Sequence, residues 1–331
     1  MESEARKLCD MGREFLDRGE PEEALRCYER AIDVDPENPD AWCGRGKAAY
    51  DLGRLERADR DFRRALRFAQ RELEGGSEKK GRRWWADPVT RPYLRALHGH
   101  GLCRFWLGAY EDAAKVFRRL LKLAPTDPLD VRFLVGETYL RMGRIERAVR
   151  ELAAVEDDPD ALYNLGLARF YQGDFAGSVN AFRRGFFANL HLPRMLVEAE
   201  GSDDSDAKPP PSAKDAHGEV PSDAGTHPKG LDGEAAANDY VDRCGDFWFG
   251  RPVLQRWLWG VHEHPVVKDD IRKHLEHLKV LGGEGLSTGD RARLEGANAS
   301  LRSTERLGRT DAEIAKSVLE KVFVLKEPVA K

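Results

Sequence analysis

The stretch ARKLCDMGREFLDRGEPEEALRCYERAIDVDPEN, Ala5 to Asn38, decides the architecture. Gly12 is followed seven residues later by Gly19, then by Ala24, and four residues further on by the aromatic Tyr28. The same spacing returns as Gly46, Gly53, Ala58 and Phe62, and as Gly101, Gly108, Ala113 and Phe117. It returns twice more as Gly136, Gly143, Ala148 and Leu152, and as Gly166, Gly173, Ser178 and Phe182. Internal repetition at this scale marks a repeat architecture. Proline closes several units, at Pro36, Pro125 and Pro159.

The spacing has a mechanical meaning. Apolar residues at helical intervals run up to each second glycine and resume after it, which predicts helix, turn, helix. The second glycine falls where the first helix must end in a left-handed residue. The first glycine and the later Ala or Ser have minimal side chains, so paired helices approach closely and the aromatic fills the space behind them. A closing proline starts or precedes the next helix, where its missing N–H costs nothing.

These residues resemble the tetratricopeptide repeat, a helical hairpin of 34 residues. Gly12, Phe15, Gly19, Ala24, Tyr28, Ala31 and Pro36 occupy its signature places in the first repeat. Trp42, Gly46, Gly53, Ala58, Phe62 and Ala65 do so in the second, which starts at Pro39. The resemblance covers about half the chain. It implies an all-α fold, a right-handed superhelix of about five hairpins whose first helices line a concave peptide-binding groove.

Two departures from strict period stand out. Gly46 to Gly101 is 21 residues longer than one period, and the excess falls in 71–93, RELEGGSEKKGRRWWADPVTRPY. Its basic tip (Lys79, Lys80, Arg82, Arg83) precedes Trp84 and Trp85, which pack back on the array or serve as a docking element. Gly136 to Gly166 is only 30 residues, so the second helix of the fourth repeat is clipped around Glu156–Pro159. Residues after Phe182 finish the fifth hairpin and add a closing helix, taking this region to residue 197.

Between Glu198 and Asp239 stand 11 acidic and 3 basic residues among Ser, Pro, Gly and Ala, with almost nothing large and apolar. Such a segment cannot offset its ordering entropy, so 198–238 is expected to be a disordered acidic linker. Residues 239–331 then form a helical appendage. Asn238 is positioned to cap a helix through Trp248, Pro252 and Pro265 to open two more, and Thr310 with Glu313 to form a capping box. The aromatics Tyr240, Phe247, Trp248, Trp257 and Trp259 are too many to leave in water and are expected to cap the last repeat.

Class follows from composition. The 331 residues carry 54 basic and 58 acidic side chains. No apolar run approaches the roughly 18 residues of a membrane span, and MESEARKLCD lacks the basic-then-apolar order of a signal peptide. Five scattered cysteines without a CxxC pair fit neither a disulfide framework nor a zinc site, and point to buried thiols in a reducing cytoplasm.

Chemistry-bearing motifs are scarce. His262, His264, His274 and His277 cluster, but no Cys or third carboxylate stands at metal-ligand spacing, so neither a metal nor a cofactor is expected. Cys9 and Cys43 fall on groove-facing places with no histidine to activate them. There is no phosphate-binding glycine loop, GxSxG or HExxH, and a non-catalytic protein is expected.

The resemblance implies peptide contacts from first-helix positions 2, 5, 9, 12 and 13. Candidates there are Arg13, Lys47, Tyr50, Arg95, His98, Phe105, Trp106, Phe133, Tyr163, Phe170 and Tyr171. The set is basic at its start and aromatic from the third repeat on, with Trp106 and Phe170 the best anchors for an apolar or helical peptide. The chaperone carboxylate clamp of some family members needs Lys and Asn where this chain has Cys9, Arg13, Gly44, Arg95 and Gly99. Only Arg95 is basic as required, which argues against that ligand. The leading function is therefore a scaffold or adaptor for a protein partner. The alternative is RNA binding, since 38 of the 54 basic residues are Arg. Against it, those arginines interleave with Asp and Glu, as in Arg54–Arg67, and resemble solvated helix faces.

Overall fold

The computed structural model describes residues 3–75, 84–129, 131–155, 158–198, 233–282 and 287–322. Every element among them is helical, and no strand occurs among the described residues. Four helical hairpins pack among the described residues: α1 (Glu4–Asp17) with α2 (Pro21–Val34), α3 (Pro39–Asp51) with α4 (Leu55–Gly75), α5 (Arg91–Trp106) with α6 (Tyr110–Leu123), and α9 (Pro159–Gln172) with α10 (Phe175–Ala188). The helices of the fourth repeat are α7 (Val131–Arg141) and α8 (Ile145–Leu152), and those of the fifth are α9 and α10. Contacts divide the chain into two units, one ending at Gly143 and one starting at Arg144.

The first unit holds α1–α7. Its turns behave as the spacing demands: Gly108, ending α5, has φ +73°. Pro39 opens α3 at its first turn, and the Asn38 Oδ1 accepts from the Ala41 N–H at 3.0 Å. Asp127 caps α7 with both carboxylate oxygens, accepting from Val131 N at 2.7 Å and Arg132 N at 2.8 Å. The small positions are filled to contact by the repeat aromatics. A Cβ on Gly12 or Gly44 would lie 2.8 or 2.2 Å from the Tyr28 ring, and one on Gly46 or Gly99 would lie 3.0 or 2.3 Å from Phe62. Each ring is thus wedged between its own first helix and the next, a device the sequence shows on one side only.

Of the insertion at 71–93, α4 absorbs the start, running 21 residues where α2 and α6 run 14. The Lys79–Arg83 tip lies outside the described residues. Beyond it the chain folds back: the Trp84 ring lies 5.8 Å from Tyr93, and the Arg91 Nε donates to the Trp85 carbonyl.

The second unit holds α8–α10 with α11 (Leu192–Glu198), α12 (Gly233–Cys244), a 3-10 turn (Gly245–Phe247), α13 (Pro252–His262), α14 (Pro265–Leu281), α15 (Thr288–Arg302) and α16 (Thr304–Val322). The clipped fourth repeat is evident, α8 having 8 residues. Of the acidic linker 198–238, residues 199–232 lie outside the described set, whereas 233–238 are helical. Asn238 therefore sits inside α12 and does not cap it; Ala237 and Tyr240 supply buried anchors one turn earlier than the capping pattern suggests. The Thr310–Glu313 box also does not form. Helix α16 starts at Thr304, and the Thr310 hydroxyl instead donates to the Leu307 carbonyl at 3.3 Å. Leu307 and Asp311 are buried, so packing of the earlier turn overrides the local stop signal.

Helices α13–α16 cover α10. Trp257 Nε1 donates to the Ser178 hydroxyl at 3.1 Å, which donates to the Gly166 carbonyl at 2.8 Å. Tyr240 donates to the Asn164 Oδ1 at 3.0 Å, and the indole of Trp248 to the Tyr240 oxygen at 3.1 Å. Arg183, buried in α10, bridges Asp270 on α14 and Asp311 on α16.

Two glycines test the packing. Gly99→Ala forces the Phe62 ring to move and is expected to cost about 1–3 kcal/mol. Gly308→Ala, exposed in α16 with nothing within 4 Å, is expected to gain about 0.4–1 kcal/mol. Chemical denaturation of both variants checks the pair; equal small effects would contradict the wedge.

Candidate peptide-binding face

Helices α1, α3 and α5 present equivalent residues in rows. Arg6, Asp40 and Arg95 hold one row, Cys9, Cys43 and His98 the next, and Arg13 and Lys47 a third. Arg13 pairs with Asp10 at 3.4 Å, both part-exposed, and Lys47 with Asp51 one turn along α3. Burial pushes the Asp40 carboxyl above the usual range, while Arg95, Arg13 and Arg6 act in the opposite direction. This face is a charged surface of mixed sign in which Arg95, Arg13 and Arg6 and the acid Asp10 act on one half-buried carboxyl.

The floor of the face is closed. Cys9 and Cys43 are buried, and burial pushes each thiol up to about 12. Neither is a thiolate at neutral pH, which suits packing rather than nucleophilic chemistry. Tyr50 and His98 are also buried. Burial, aided by nearby Lys47, lowers His98 to about 4, and no hydrogen-bond partner for its Nδ1 occurs among the described residues.

Several residues expected to contact a peptide are core instead. Phe105 is buried edge-on to Trp106 at 5.3 Å, with the Arg141 guanidinium 5.3 Å from its centroid. Phe133 is buried in α7. In the second unit Tyr163 is fully buried among Phe182, Phe186, Tyr240 and Trp248, and its hydroxyl donates to the Asn189 carbonyl. Phe170, expected to be an open anchor, lies 5.7 Å from Trp257 and from Phe175. Tyr171 is 45% exposed, and Arg251 donates to its hydroxyl at 2.8 Å. In the fifth repeat the physical reason is that Tyr240 on α12, Trp248, and Trp257 on α13 pack their rings against Tyr163 and Phe170, Phe170 staying part-exposed. Arg13, Lys47, Arg95 and Trp106 also retain solvent access.

The clustered histidines are engaged separately. His262 stacks on Trp259 and meets the Glu263 carboxylate at 3.0 Å, while His274 is buried against Asn298 at 2.6 Å. No group of three metal-ligating side chains occurs among the described residues.

Hairpins of this geometry, with small residues closed over by a following aromatic, define a class of helical-repeat scaffold. Family models of the tetratricopeptide repeat match residues 9–72, 107–170 and 160–184, so these segments are tetratricopeptide repeats. The chain is similar to RNA polymerase II-associated protein 3 of Mus musculus, 27% identical over 118 residues, 36% of this chain and 15% of the relative. It is also similar to DnaJ homolog subfamily C member 3 of Homo sapiens, 23% identical over 219 residues, 55% of this chain and 42% of the relative. It spans less than half the length of either. Among solved structures, MamA from Desulfovibrio magneticus RS-1 aligns with TM-score 0.46 and 19% identity over 61% of this chain and 99% of that one. YrrB, described as a TPR protein with an unusual peptide-binding site, aligns with TM-score 0.44 and 20% identity over 56% of this chain and 86% of that one.

His98 makes the face sensitive to acid. The unfolded histidine takes a proton near pH 6.5 that the folded one refuses until about 4, so stability is complete above pH 6.5 and falls as pH drops through that window. Between pH 7 and pH 5 this amounts to about 2 kcal/mol. Denaturation of His98→Leu at both pH values should show a correspondingly smaller loss than the natural chain; an unchanged loss would contradict the burial assignment.

Proposed function

We propose that the chain is a non-catalytic adaptor that holds a protein segment of mixed polarity on the inner face of α1, α3 and α5. The observation that carries the reading is the row of Arg6, Asp40 and Arg95 at equivalent places on α1, α3 and α5, with Arg13 and Lys47 in the part-exposed third row. The arginines take acidic or carbonyl groups of the segment, Asp40 takes an N–H donor, and part-exposed Trp106 takes an apolar side chain. The reading departs from an aromatic anchor at Phe170, because Trp257 and Phe175 already pack against that ring. It includes no chaperone carboxylate clamp, since Cys9, Gly44 and Gly99 stand where that clamp needs polar groups. It also includes no enzymatic step: the buried thiols are pushed up, and the described residues hold no activated nucleophile beside them. A cytoplasmic location fits five free, buried cysteines.

Selection from a displayed random-peptide library against the full chain tests this reading. Enriched peptides should lose about tenfold or more in affinity on Arg95→Glu and on Trp106→Ala, with melting little changed. They should bind normally to Arg256→Glu, which alters an exposed residue of α13. Failure to enrich any peptide, or equal binding to all variants, would reject the inner face.

A further inference from the structure

The run Arg54–Arg67 reads as interleaved acids and bases, the signature of a neutral solvated helix. The structure sorts them. Asp61, 2% exposed, turns inward and accepts two hydrogen bonds from Arg45 at 2.8 and 2.9 Å. Asp59, also buried, accepts from His100 Nδ1 at 2.7 Å and pairs with Arg63 at 3.2 Å. The arginines turn outward, so from Arg57 to Arg71 no acidic side chain of α4 is exposed. Helix α6, which packs on α5 as α4 does, repeats the pattern: residues 113–123 contain no acid at all.

Six cations dominate the result: Arg60, Arg64 and Arg67 on α4, and Arg118, Arg119 and Lys122 on α6, all exposed. None has an acidic partner among the described residues. Two are pre-positioned on rings: the Arg64 guanidinium lies 4.6 Å from the Trp42 centroid and that of Arg119 lies 5.5 Å from Tyr93. In a chain whose net charge is −4, these are localised positive stripes, created on α4 by burial of its own counter-charges and on α6 by the lack of acids after Asp112.

We propose that these outer stripes of α4 and α6 are a second interaction surface, distinct from the inner face, and that its partner is an acidic protein segment. Residues 60, 64 and 67 fall on successive turns of one helix stripe, about 5–6 Å apart. Guanidinium forks at that spacing match carboxylates presented on successive turns of an acidic helix, each pair capable of two parallel hydrogen bonds. A single-stranded nucleic acid fits less well, because such ligands are gripped by exposed rings on which bases stack. The rings here are Trp42 and Tyr93, both buried beneath their arginines.

Fluorescence anisotropy of the full chain with a labelled twenty-residue polyglutamate peptide, and with a labelled twenty-nucleotide polyuridine RNA, tests this at low and moderate salt. The peptide should bind saturably, more tightly than the RNA, and weaken as salt rises. Arg60→Glu/Arg67→Glu and Arg118→Glu/Lys122→Glu should each weaken it at least about tenfold with unchanged melting. The control Arg256→Glu/Lys316→Glu, which changes net charge equally in the second unit, should change it less than about twofold. Absence of peptide binding, tighter RNA binding, or equal loss in the control variant would overturn the proposal.

Discussion

Arg183 is a full positive charge buried in α10, held 2.7 Å from Asp270 and 2.5 Å from Asp311. Asn180 donates to Asp311, and Arg306 closes the set at Asp270. A charge in that position is tolerable only with its partners in place; removing one member of such a cluster typically costs about 3–5 kcal/mol, because the others stay buried uncompensated. The cluster therefore fixes where α14 and α16 must lie on α10. Burial of the Asp311 carboxyl pushes it up, opposed by Asn180 and Arg183, so the cluster is held by geometry as much as by charge. Trp257 on Ser178 and Tyr240 on Asn164 extend the same polar contact across the fifth repeat.

The consequence reaches function. Rings that a repeat array would otherwise offer to a partner, Tyr163 and Phe170, are taken by the chain's own Tyr240, Trp248 and Trp257. In the first unit Arg13, Lys47, Arg95 and Trp106 remain accessible. That accessibility is why the proposed inner face lies on the first three repeats. The aromatic wedge keeps that face regular: because Tyr28 and Phe62 each touch glycines of two first helices, those helices pack closely and their side chains fall in rows.

The repeats were legible because their signal is local. Gly19 must be able to turn left-handed, Gly12 must be small, and Tyr28 must fill the space beside Gly12, all within one 34-residue window. The prolines that open α13 and α14 were legible for the same reason. The site was less so. That Phe105 and Tyr163 would be core and Trp106 would not depends on what packs over each ring from distant parts of the chain, and no spacing encodes it. The inward turn of Asp59 and Asp61 depends on Arg45 and His100, 16 and 41 residues away. Arg183 meets carboxylates 87 and 128 residues downstream, which no local pattern encodes. The Thr310 capping pattern was locally sound and was overridden by burial of Leu307.

Hydrogen–deuterium exchange on Arg183→Met, compared with the natural chain, tests the central claim most directly. If the buried cluster organises the second unit, α10, α13, α14 and α16 lose protection together while α1–α6 keep theirs. Loss confined to the end of α16, or beginning in α1–α4, would contradict it.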